Sequence, residues 1–146
     1  MAVYVALFGE QNYEWPECLS RNTIATPSDI DDFELWRRGD RDAYIRFHTE
    51  GRGRRKTPPT KVLASRWYND KTRFSESAGD VWIHKQDGRV WWTRSIDEPP
   101  FFIEKAVPID PERTVIVCHK PCEPWRHVSE IGTDLKWENL HPKARV

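Results

Sequence analysis

The run Asp80-Val-Trp-Ile-His-Lys-Gln-Asp-Gly-Arg-Val-Trp-Trp-Thr-Arg-Ser95 constrains this chain more than any other stretch. Asp-Gly is a preferred central pair of a two-residue type I′ turn, because both positions need a positive φ. A turn at Asp87-Gly88 sets the register: Gln86 opposite Arg89, Lys85 opposite Val90, His84 opposite Trp91, and Ile83 opposite Trp92. Side chains alternate between faces along a strand. Val81, Ile83, Val90 and Trp92 therefore share one face, flanked by Lys85 and Arg94, and this reads as a core face. Trp82, His84, Trp91 and Thr93 share the other. That second face mixes rings with polar groups, so it reads either as a stacking surface for a flat ligand or as a second packed layer of a small twisted sheet.

The remaining elements are less sharply marked. Ala2–Phe8 is a short apolar run closed by Gly9 and predicts a buried first strand. Thr26-Pro27-Ser28-Asp29 offers a helix N-cap with acids in the turn that follows, and Ile30 and Phe33 begin an apolar stripe that stops at Gly39. A second helix is predicted from Asp40 to Glu50, with Ala43, Tyr44 and Phe47 on one face and Gly51 at its end. Thr60 to Phe74 reads equally as a helix or as a strand followed by a loop. After the Pro99-Pro100 break, Phe101-Phe102-Ile103 resumes an apolar segment, and Thr114–Cys118 is a β-branched run that predicts a buried strand. From His119 to Asn139 the pattern is irregular, with Trp125 and Trp137 expected to pin a long loop. At 146 residues this predicts one domain over 1–146, and an end at Lys143-Ala144-Arg145-Val146 without a capping element suits the N-terminal part of a longer protein.

Charge is balanced only in total. Lys and Arg number 23, as do Asp and Glu, but residues 1–40 carry a net −5, residues 41–66 a net +6, and the rest −1. The basic block peaks at Gly51-Arg52-Gly53-Arg54-Arg55-Lys56, where glycines and the following Pro58-Pro59 indicate an exposed loop. Arg52, Arg54, Arg55 and Lys56 in such a loop suit phosphate contact, where a guanidinium offers a bidentate fork. A solvated charged loop is the plainer reading. Zero net charge together with eight Trp excludes disorder. No apolar stretch is long enough for a membrane helix, and the N-terminus lacks the pattern of a signal peptide. The odd count of three Cys, with no secretion signal, points to a reducing cytoplasm.

Candidate chemistry is sparse. Cys118-His119-x-x-Cys122, with His127 and His141 downstream, has zinc-ligand residue types but lacks a second close pair. A thiol closing an apolar strand is more often inert, so no metal is expected. Asp134-Leu135-Lys136 echoes half of a metal-dependent nuclease site, a short pattern that arises by chance. No nucleophile elbow and no Gly-rich phosphate loop is present, so no catalysis and no cofactor are expected. Aromatic groups interleaved with basic ones remain. Trp67, Trp82 and Trp91 suit stacking on a base, and Asn69, Asp80 and His84 suit reading its edge once it has left the duplex. An aromatic cage for a methylated lysine is the competing use of the same rings.

The order of elements, with Trp36-Arg-Arg-Gly-Asp-Arg-Asp-Ala-Tyr-Ile45 and Ser65-Arg66-Trp67-Tyr68, resembles the PUA-like readers of modified bases, the EVE, YTH and SRA group. The resemblance spans roughly residues 2–120 in general layout and lacks the family's usual Trp and Lys-Ser/Thr-Glu-Pro stretch in the opening strand. It implies an α+β fold with a curved, barrel-like antiparallel sheet and flanking helices. It implies, too, an aromatic cage that maps onto Trp67, Trp82 and Trp91. The function it implies is recognition of a flipped, modified base, modified cytosine in DNA foremost, in a modification-dependent restriction system. Cleavage there would belong to a fused or partner nuclease.

Overall fold

The structure is a computed structural model that describes residues 2–128 and the backbone of 144–145. In chain order the elements are β1 (Val3–Val5), a 3-10 turn (Glu10–Asn12), α1 (Trp15–Arg21), β2 (Thr23–Asp29), α2 (Ile30–Arg37), α3 (Arg41–Thr49), α4 (Lys61–Glu76), β3 (Val81–Gln86), β4 (Arg89–Arg94), β5 (Phe101–Val107), β6 (Asp110–Pro121) and β7 (Ala144–Arg145). One sheet has the order β4-β3-β1-β7 and the other β2-β6-β5. The fold is α+β. Among the described residues the two sheets do not close into the barrel expected from the sequence, and they are not wholly antiparallel. β1 runs parallel to β3 and to β7. The parallel pairing with β3 follows from the connection, since four helices and β2 lie between the two strands and supply the crossover a parallel pair requires.

The β3–β4 hairpin has the register that its Asp-Gly turn dictates, from Gln86 opposite Arg89 to Val81 opposite Arg94. Asp87 and Gly88 carry φ of 51° and 75°, the pair of positive values a type I′ turn needs. The faces are used differently from the display reading. Trp82 is fully buried, and His84 and Thr93 nearly so. They face the larger core, which Tyr4, Phe8, Trp15, Ile24, Phe74, Val115, Val117 and Trp125 complete. The opposite face, with Ile83 and Trp92, forms a smaller apolar cluster with Val5. Both sides of this sheet are therefore packed, as in the second-layer reading. Two isolated bridges, Trp92 with Arg126 and Ser95 with Cys122, tie β4 to the chain beyond β6.

β2 begins at Thr23 and runs to Asp29, so Thr26 and Pro27 lie in a strand and α2 starts only at Ile30. Asp29 holds the N-cap position with extended geometry, but its side chain makes no cap bond. Its carboxylate instead accepts from Nη2 of Arg113 at 3.1 Å. α3 matches the predicted helix, with Asp40 accepting from the Ala43 amide at 3.1 Å. The undecided segment is helical. Thr60 caps α4 by accepting from the Leu63 amide at 3.2 Å. Trp125 pins its loop by donating Nε1 to the carbonyl of Thr23 at 2.9 Å. Trp137, His141 and the Asp134-Leu135-Lys136 tripeptide lie outside the described residues.

A buried ionic cluster joins α1 to the second sheet. Glu14, at the N-cap of α1, accepts from Nζ of Lys105 on β5 at 2.9 Å. His119 on β6 stands with Nε2 3.7 Å from the same carboxylate, and its Nδ1 bonds Oγ1 of Thr23 at 2.8 Å. Phe101 stacks on the His119 ring. Burial acts to raise the Glu14 pKa, but His119 and Lys105 outweigh it and hold the group below its ordinary value.

Candidate functional site

Helical spacing builds the principal cleft. On α3, Tyr44 and His48 are four residues apart and so share a face. On α4, Trp67, Asp70 and Lys71 share a face by the same rule. The two helices pack through these faces, with Tyr44 against Tyr68 at 5.4 Å and His48 edge-on to Trp67 at 5.2 Å. The connecting Arg/Gly loop crosses above His48. A Cβ on Gly53 would meet Nδ1 of His48 at 2.8 Å, so glycine lets the loop close down there. The rest of the lining comes from Leu7, after β1, together with Thr26 and Asp29 of β2 and Asp32 of α2.

These residues, with Arg54 and Arg55 of the loop, enclose a cleft of about 380 Å³. That is within the range that holds small organic ligands. Its polar groups are strongly placed. Oδ2 of Asp32 lies 3.2 Å from Nε2 of His48. Oδ1 of Asp32 is buried, and the Tyr44 hydroxyl hydrogen-bonds the Asp32 carboxylate. Burial raises the pKa of Asp29, against the pull of Arg113, and burial also raises that of Asp70, against Arg73 and Arg66. The Tyr44 hydroxyl is pushed upward by burial and by the adjacent Asp32, and stays protonated. Lys71 donates from Nζ to Oγ of Ser28. The guanidinium of Arg55 lies 5.6 Å from the centroid of the Trp67 ring.

The residues singled out in the sequence scatter. Trp67, Arg54 and Arg55 line the cleft. Arg52 is exposed and turned to Glu50 at 3.0 Å, with its guanidinium 5.6 Å from the Phe47 centroid. Lys56 is exposed on the same loop. Asn69 is exposed and off the face that Trp67, Asp70 and Lys71 share. Asp80 has a structural position, accepting from the Ala2 amide at 3.0 Å and from the Ser77 hydroxyl at 2.8 Å. Trp82 donates Nε1 to Ser77 at 3.1 Å and packs between Tyr4 and Phe74, so it has no face free for a base. His84 sits against Phe8 and Trp15, both at 4.6 Å, and burial lowers its pKa. Trp91 is half-buried against Trp15 and His127. Trp67, Trp82 and Trp91 do not form one cage.

Asp32, Tyr44, His48 and Lys71 belong to the cleft and carried no motif. The spacing 67, 70, 71 reveals its face only once α4 is known to be helical. Cys18, Cys118 and Cys122 are free and buried, and no group of three or more metal-ligating side chains occurs among the described residues. Neither a family model, nor a curated protein, nor a solved structure matches the chain.

Proposed function

We propose that the protein is a nucleic-acid-binding module that takes an unstacked, modified base into the cleft beside Trp67. One observation carries this reading: a partly exposed Trp ring stands in a cleft with polar walls, and two arginines form its lip. Base stacking on an aromatic ring contributes roughly 1–3 kcal/mol. A base must leave the duplex to reach such a ring, and phosphates of the flanking nucleotides then fall near the lip, within reach of Arg54 and Arg55. The reading moves the aromatic pocket from the hairpin to the α3–α4 wall. It keeps the PUA-like resemblance as a proposal, with modified cytosine in DNA as the foremost ligand. A cytoplasmic, modification-dependent restriction system with a fused or partner nuclease is the corresponding context. Among the described residues no helix is long and apolar enough to cross a membrane.

The test is a binding panel. Duplexes carrying cytosine, 5-methylcytosine, 5-hydroxymethylcytosine or N6-methyladenine are titrated at two salt concentrations, alongside a trimethyl-lysine peptide. One modified duplex should bind more tightly than its plain counterpart, and affinity should fall steeply with salt as phosphate contacts are screened. Equal affinity for modified and plain DNA overturns the proposal. So does salt-insensitive binding of the peptide alone, which would assign the cleft to a methyl-lysine ligand.

A further inference from the structure

A second cavity opens on another face of the helix pair that builds the cleft. It encloses about 550 Å³ between α3 and the start of α4, and Ile45, Arg46, Thr49, Pro59 and Lys61 line it together with Asp42. Residues 42, 45, 46 and 49 follow the three-and-four spacing of one helical face, whereas Tyr44 and His48 serve the cleft from the face beside it. The floor is apolar, since Ile45 and Pro59 are buried. Arg46 and Lys61 are exposed at the rim, and neither has an ion-pair partner among the described residues. Two cations against the Asp42 carboxylate leave a net +1, and Asp42 sits in the first turn of α3, where the helix N-terminus already offsets its charge. The Arg/Gly loop joins the two cavities. It leaves Thr49 at the rim of one, carries Arg54 and Arg55 to the lip of the other, and returns to Pro59 and Lys61. The cavity between α2 and β5 is the contrast, because Glu34 and Glu104 outnumber Arg37 there and would repel an anion.

We propose, resting on the base-binding reading above, that this second cavity holds the sugar–phosphate backbone of the strand from which the base is flipped. Arg46 and Lys61 take phosphates beyond the loop, and a sugar lies on the Ile45 and Pro59 floor. Rotating a nucleotide out of the duplex about its backbone carries the flanking phosphates toward the protein. Arg54 and Arg55 meet the first of them, and the strand continues across the loop to the unpaired cations on its other side. Such contacts fix where the strand runs and carry no sequence information. A rim with one net charge is too weak to capture a free anion, so it acts on phosphates that the cleft has already brought near.

The experiment reads the salt dependence of binding. Fluorescence anisotropy follows a duplex carrying 5-methylcytosine, and its plain counterpart, at several salt concentrations. Arg46→Ala/Lys61→Ala should lower the slope of log affinity against log salt by about two, one for each phosphate released. The ratio of modified to plain affinity should stay as in the wild type, because neither side chain meets the base. Arg37→Ala/Arg38→Ala removes the same charge from α2 and should change the slope by less than about 0.5. If the double variant does not fold, as judged by circular dichroism, Arg46→Gln and Lys61→Gln carry the test singly, each lowering the slope by about one. A slope that stays at the wild-type value, or falls no further than that of the α2 control, overturns this inference. The base-binding reading still stands if Trp67→Ala removes the preference for the modified duplex. Equal wild-type affinity for every modified and plain duplex of the panel overturns the base-binding reading, and with it the flipped strand proposed here.

Discussion

The guanidinium of Arg55 and the ring of Trp67 are 5.6 Å apart at the mouth of the cleft, so one side chain of the basic loop caps the one candidate ring that the cleft displays. A cation over a ring holds both in place until a competing flat partner arrives. Trp67→Ala is expected to weaken binding of the preferred modified duplex roughly 5- to 150-fold, the range that 1–3 kcal/mol of stacking implies. Arg55→Ala should weaken all duplexes alike and reduce the salt slope by about one. Anisotropy titrations at several salt concentrations separate the two. A Trp67→Ala effect that is uniform across modified and plain DNA would contradict the stacking role.

Trp82 behaves differently because it is a core residue. Its ring is fully buried between Tyr4 and Phe74, and its Nε1 satisfies Ser77. Trp82→Ala is expected to destabilise the fold by about 3–5 kcal/mol, the usual cost of truncating a large buried ring. Urea denaturation followed by fluorescence measures it. A loss below about 1 kcal/mol would mean that the ring is far less enclosed than described.

The Glu14 cluster predicts an acid response with a definite sign. Its folded pKa lies below the ordinary 4.5. The stability it contributes is therefore fully present above the unfolded value and is lost as pH falls through the folded one. Wild-type stability should drop more steeply than that of Glu14→Gln between about pH 5 and about pH 3. Asp29 and Asp70, shifted upward, are common to both proteins and cancel in the comparison. Parallel stability curves for the two proteins would show that the carboxylate is not held ionised by His119 and Lys105.

The three thiols should be silent in the native protein. Burial pushes Cys118 and Cys122 up to about 12 and Cys18 higher still, so almost no thiolate is present at neutral pH. A thiol-specific chromogenic reagent should label none of them at once in buffer and all three in denaturant. Rapid stoichiometric labelling of the folded protein would place at least one thiol at the surface.

What the residues revealed in advance depended on how local the cause was. The hairpin register was legible because Asp87-Gly88 fixes it within a few residues, and α3 because Asp40 and Gly51 bracket it. Which face of the hairpin meets the larger core was not legible. That choice is made by Phe8, Trp15 and Phe74, which arrive from distant elements. α4 was ambiguous for a related reason. Lys61–Glu76 buries only Ala64 and Phe74 fully, so its apolar stripe is thin and its periodicity faint. The cleft depended on that helix, and with it undecided Asp70 and Lys71 had no common face with Trp67. The basic loop was identifiable as a loop, but its close passage over His48 required the three-dimensional path.

One wall of the cleft comes from a single uninterrupted piece of chain. Tyr44, His48, Arg54, Arg55, Trp67, Asp70 and Lys71 all lie between the positive-φ glycines Gly39 and Gly79. Neither sheet takes a strand from that stretch. The chain thus behaves as a scaffold carrying an exchangeable cassette. Residues 40–78 can vary without removing any strand, provided that Phe74 still fills its place against Trp82, that Ser77 keeps its bonds to Trp82, Asp80 and Ser95, and that Lys71 still reaches Ser28. Such a partition keeps the residues of that wall separate from the strand pairings. It also marks where a directed-evolution library should be concentrated.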